Sequence, residues 1–210
     1  MLRIALFALI AVHCCLTPLR AEPVTLREST DATPRMVTCQ VRTTGEISVQ
    51  AGTEAASAHQ LTATAEFQFL ERRLPSAGRD ARSLRSCREF LSGGLQTSIS
   101  DSATAIELPE HLRLIVAEGQ REGVNSWCAV GPLTRDTADL LELPGDPLSL
   151  VALLPVTPVE VGENWQAETW AAQMLATIEA AESAEITCTL RDVTSGVATI
   201  DLSGTVKGQR

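Results

Sequence analysis

Past residue 21, the side chains best suited to chemistry are His59, His111, four cysteines and the pair Asp136 and Asp139. Each histidine stands alone: His59 lies in an Ala- and Ser-rich stretch, and His111 follows Pro109-Glu110. A metal centre needs several ligands at short spacing, and neither histidine has such neighbours. There is no Gly-x-Ser-x-Gly nucleophile elbow. A Ser–His–Asp group, whose members meet only in space, stays open. Asp136 and Asp139 fall at the start of a helical segment, where negative charge suits the helix dipole better than it suits general acid–base work. No residue is assigned a catalytic, cofactor-binding or metal-ligating role, and no cofactor is expected.

The cysteines are Cys39, Cys87, Cys128 and Cys188. An even count permits disulfides, with three connectivities open, and the wide spacings match no zinc pattern. Cys39 belongs to the apolar set Val37, Cys39, Val41, and Cys188 to Ile186, Cys188, Leu190. Both read as small core residues with free thiols.

The elements that must position these residues follow from periodicity. Residues 36–42 alternate as a half-buried strand, a turn is expected at Thr43-Thr44-Gly45, and Ile47 and Val49 resume the pattern. Residues 51–60 read as a loop. Leu61, Ala63, Ala65, Phe67 and Phe69 then line one side of a long strand that ends at Pro75-Ser76-Ala77-Gly78. Residues 81–91 and 95–99 read as strands. Residues 112–118 and 124–130 form a hairpin whose loop is bracketed by Gly119 and Gly123. Thr134 caps a helix carrying Leu140, Leu141 and Leu143, which stops at Pro144-Gly145. Two more helical stretches follow, Pro147 to Leu154 and Trp170 to Ala181, the latter with Trp170, Met174, Ile178 and Ala181 on one stripe. A final hairpin pairs residues 185–192 with 197–207. The fold class is α+β: a mainly antiparallel, curved sheet with two or three helices inserted in the second half.

The amino terminus has the layout of a secretory signal. Arg3 is the positive residue, Ile4 to Leu16 is apolar except for His13, and small Ala21 precedes a cleavage site. The run of about 13 residues is shorter than the roughly 20 a membrane span needs. This places the signal peptide at 1–21, a flexible arm at 22–35 and one β-rich domain at 36–210, with no integral membrane span after cleavage. Localisation is then periplasmic or extracellular. Losing Arg3 and Arg20 and no acid makes the formal charge of −9 two more negative. Such an acidic chain disfavours nucleic acid. The basic stretch Arg72 to Arg88 is interrupted by Asp80 and apolar residues, and reads as a solvated face.

Two stretches carry a resemblance. Residues 131–165 run GPLTRDTADLLELPGDPLSLVALLPVTPVEVGENW, and residues 186–208 run ITCTLRDVTSGVATIDLSGTVKG. Together they resemble an uncharacterised family of exported proteins found mainly in planctomycete bacteria. In that family a Gly-Pro-Leu-Thr-Arg helix start leads to Leu-Leu-Pro, then Pro-Val-x-Val-Gly-x-x-Trp, then a β-hairpin. The resemblance implies export and this fold, and a β region continuing past Arg210, so that the domain is expected to be incomplete at its carboxyl end. It implies no activity.

Two functional classes follow. The leading one is a non-catalytic cell-envelope module for binding or scaffolding, with an apolar ligand or lipid as its cargo. The alternative is an envelope hydrolase with a dispersed active site. A pocket lined by Leu, Val, Ala and Trp points to the first. One that holds His59 or His111 beside a Ser and an acid points to the second. The last strand, with no nameable neighbour on its outer edge, is expected to invite self-association, unless strand 36–43 or further residues cover it.

Overall fold

The computed structural model describes residues 22–27, 33–49, 57–75, 80–142 and 144–209; the expected leader at 1–21 lies outside them. The fold is α+β, built on two antiparallel sheets and three α-helices among the described residues. The larger sheet contains β1 (Arg35–Val49), β2 (Ser57–Arg73), β3 (Arg85–Ile99), β4 (Ser102–Glu107), β5 (Leu114–Gln120) and β6 (Gly123–Cys128). Its strand order is β1-β2-β3-β5-β6. The outer side of β3 is shared: Arg85 to Glu89 pair with β5, and Gly94 to Ile99 pair with β4. Helices α1 (Arg135–Leu141), α2 (Pro147–Ala152) and α3 (Thr169–Ala176) lead to the smaller sheet, ordered β7 (Asn164–Gln166), β8 (Ala180–Thr194), β9 (Val197–Gln209).

Alternation decides which face of the large sheet is covered. Ala65, Phe67 and Phe69 of β2, Phe90 of β3 and Ile115 of β5 point inward and are buried with Leu140 and Leu141 of α1. A second cluster joins Ala117 and Val124 to Leu148 of α2 and Met174 of α3. A third packs Ala171 and Ala172 of α3 with Leu153 against Ile186 and Cys188 of β8, with Ile200 and Val206 of β9 partly buried beside them. Helix α3 is therefore the joint between the two sheets. Among the described residues no helix is long and apolar enough to cross a membrane.

Several local expectations are corrected by tertiary pairing. Thr43, Thr44 and Gly45 do not turn; they pair with Ala63, Thr62 and Leu61 inside a ladder without irregularity, because β2 supplies a partner for each residue and overrides the local glycine signal. Gly119 does not open a loop. It lies within β5, and a Cβ there would meet the Ala81 carbonyl oxygen at 2.4 Å and Met174 Cε at 2.8 Å. The hairpin turn shrinks to Arg121-Glu122. The third helix stops at Ala176, five residues early. Thr177 takes left-handed backbone at φ 54°, and Gln173 Nε2 donates to the carbonyls of Ile178 (3.2 Å) and Glu179 (2.8 Å). Ile178 and Ala181 thus leave the helix, and β8 begins at Ala180. The strand at 35–49 pairs with β2, so it does not cover β9, whose outer edge has no strand partner among the described residues. Val24 makes an antiparallel bridge with Val159 through two backbone hydrogen bonds of 2.8 and 3.0 Å.

Met174 is buried at the junction of α3 with the large sheet. Met174→Ala is expected to cost about 2–5 kcal/mol of stability by urea denaturation. A loss below about 1 kcal/mol would mean that α3 does not join the sheets.

Candidate functional site

Among the described residues, the inward face of the large sheet carries three buried polar side chains in the midst of its apolar ones. Glu71 continues the inward series of Phe67 and Phe69, and Ser86 and Arg88 precede Phe90 on β3; all three are buried. An isolated charge there would be costly. Arg88 is instead held on every side. Its Nε donates to Glu71 Oε1 at 2.9 Å and to Ser86 Oγ at 3.1 Å, and its Nη1 and Nη2 grip Asp146 at 2.7 and 2.6 Å. The guanidinium carbon stands 5.1 Å from the centre of the Phe69 ring, a cation–π contact. Burial alone would lower the Arg88 pKa, but the charges and hydrogen bonds of Asp146 and Glu71 outweigh it and raise the pKa above the ordinary arginine value.

Asp146 reaches this position because it also starts a helix. It is the N-cap of α2, with Oδ1 accepting from Leu148 N at 2.8 Å, and Pro147 at the first helical position suits that geometry. Ser149 Oγ donates to the Asp146 carbonyl at 2.6 Å. Arg73 closes the group, with Nη1 3.4 Å from Glu71 Oε1. The arrangement is a two-carboxylate clamp on one cation, with another cation beside Glu71. Such a cluster orients elements; its acids are already engaged and have no evident proton-transfer role.

Beside the clamp is a cavity of about 30 Å³, bounded by Cys39, Phe67, Phe90, Leu141 and Pro144. That is room for about one water molecule. The segment linking α1 to α2 lines one side of the cavity through Pro144, Gly145, Asp146 and Pro147. Cys39, Cys87, Cys128 and Cys188 are free thiols. Burial pushes the Cys39 pKa up, Asp146 adds to this, and Arg88 partly opposes it. Burial alone raises Cys188.

The two histidines are far apart in the fold. His59, near the start of β2, has both ring nitrogens engaged by hydroxyls, Nε2 with Ser57 Oγ at 3.1 Å and Nδ1 with Ser100 Oγ at 3.2 Å. A triad would need a carboxylate on one of those nitrogens. His111 borders a shallow cleft of about 610 Å³ with Glu89, Leu91, Glu110, Arg113 and Leu114, and that cleft has no serine in its lining. Among the described residues, neither histidine is placed beside both a Ser and an acid. Asp136 and Asp139 are exposed at α1, where Asp139 faces Arg135 at 3.8 Å. Among the described residues, no three His, Cys, Asp or Glu side chains are grouped to hold a metal.

Sequence reasoning missed Glu71, Arg88 and Asp146, although the signals were present. Glu71 shares the parity of Phe67 and Phe69, and Asp146-Pro147 is a helix-start pair. No protein-family model, no curated protein and no solved structure matches the chain.

Arg88→Met removes the cation that Glu71 and Asp146 share and is expected to cost about 3–5 kcal/mol. Urea midpoints measure this. The raised thiols set a pH dependence. Folded values raised above the ordinary 9.0 give a contribution that is fully present below about pH 9 and is lost as pH rises through the folded values. Stability should accordingly fall on the alkaline side, and less so in the Cys188→Ala variant.

Proposed function

We propose that this chain is a non-catalytic module of the cell envelope, exported by its leader-like segment, that holds a slender apolar ligand such as an acyl chain against the inner face of its large sheet. One observation carries the reading. Beyond Leu95 and Ile106 the inward face includes the apolar residues Ile47, Leu61, Ala63 and Ile99, on neighbouring strands and interspersed with Thr43, Gly45, His59 and Thr97, and none of the four is fully buried. Leu61 stands directly opposite Ile99, and Ala63 opposite Thr43 on one side and Thr97 on the other. A partly apolar strip at the open end of a covered sheet suits an extended chain more than a compact substrate. The engagement of both His59 nitrogens by hydroxyls supports the binding reading over the hydrolase alternative.

Titration with a fluorescent fatty acid tests this. Saturable binding is expected, and Leu61→Asp should weaken it roughly tenfold or more, since the ligand loses an apolar contact of the size of a leucine side chain. The absence of saturable binding, or equal binding by Leu61→Asp, would overturn the proposal.

A further inference from the structure

We propose that β1 is a self-pairing edge, and that two copies of the chain join antiparallel along it about a two-fold axis through Thr44. The inference does not depend on the ligand reading.

Strand β1 pairs only with β2 among the described residues, so one side of its backbone lacks a strand neighbour over 15 residues. That is more than twice a usual strand length. Exposed edges are ordinarily blunted by proline, lysine, a bulge or shortness. From Arg35 to Val49 there is no proline and no lysine, and the ladder to β2 has no register shift. The other long edge, β9, differs. Its ladder to β8 shifts register twice, and Gly204 sits in it at φ 146°. Strands β4 and β6 are six residues each. Of the edges, β1 is the longest and the most regular.

The sequence of β1 is complementary to itself in one register. With Thr44 opposite Thr44, Arg42 falls opposite Glu46, and symmetry makes that pair twice. On the inward face Val41 falls opposite Ile47 and Thr43 opposite Gly45. On the outward face Gln40 falls opposite Ser48. Opposed residues share parity and so lie on the same face, and the apolar side of each sheet continues into that of the other. Arg42 and Glu46 are exposed. An antiparallel two-fold passes equally well through either kind of residue pair in a ladder. The contact is isologous, so it closes at two copies and does not propagate. Charge complementarity thus selects a second copy of the chain as the occupant, and the register specifies how it binds.

Cysteine placement reads the register directly. At the axis two Cα atoms lie about 4.5–5.5 Å apart, within the span of a disulfide. Thr44→Cys should therefore convert to a covalent dimer under mild oxidation. Thr38→Cys, exposed on the same face, should not, because its symmetry mate would be roughly 40 Å away at strand rise. Sedimentation velocity supplies the second readout. Arg42→Glu and Glu46→Arg should each weaken the dimer roughly tenfold through two lost cross-strand pairs and the repulsions that replace them. The double variant, with the charges exchanged, should restore it. Both positions are exposed, so the variants fold, and unchanged urea midpoints would verify this. A wild-type chain that stays monomeric at high micromolar concentration would overturn the proposal. So would a dimer in which Thr44→Cys does not cross-link, which would place the contact at another edge such as β9.

Discussion

Arg88 sets the terms on which the rest of the fold is assembled. An inward arginine on the central strand of a covered sheet is tolerable only with carboxylates at contact distance, and one carboxylate from a neighbouring strand is not enough to satisfy its five donors. Glu71 comes from β2, and Asp146 comes from the turn between α1 and α2. Because Asp146 also caps α2, the charge that satisfies Arg88 fixes where that helix begins and which way it runs. Hydrophobic contact alone would hold the helices over the sheet without selecting one placement; the bidentate fork selects it.

From that anchor the layers follow. Leu148, the second residue of α2, is fully buried beside Met174, and Leu153 packs with Ala171 and Ala172 of α3. Trp165 closes the return path by donating from Nε1 to the Leu153 carbonyl at 2.7 Å. The large sheet is therefore covered near Arg88 and uncovered toward the far ends of β1 and β2. The same asymmetry leaves Ile47, Leu61, Ala63 and Ile99 short of full burial, and leaves β1 with β2 as its strand neighbour among the described residues. Strand length produces both, since β1 and β2 outrun the helices that cover them.

The α+β class, the first two helices and the last hairpin were legible because local and global signals agree there. Thr134 does cap α1, and its Oγ1 accepts from Thr137 N at 3.3 Å. The failures have physical causes. Gly45 and Gly119 look like turns, yet one sits in an unbroken ladder and the other makes room for a crossing backbone. Strand β4 escaped notice because Ser102 to Glu107 has little apolar alternation and exists through its pairing with β3. The site was missed for a related reason. Arg72 to Arg88 reads as a surface run when charge is counted, whereas side-chain parity puts Arg72 outside and Arg88 inside, with Glu71 just before the run also inside. Only the long-range partner Asp146 makes that parity affordable, and no local window contains it.

Hydrogen exchange tests this account most directly. In Asp146→Asn the side chain still caps α2, while its charge on Arg88 is removed. The account predicts that amides from Leu148 to Leu153 lose protection by at least tenfold while the β2–β3 ladder between Ala65 and Leu95 keeps most of its own. Protection of α2 that is unchanged, or that falls equally with that of the sheet, would contradict the claim that the Arg88 clamp is what places the helices.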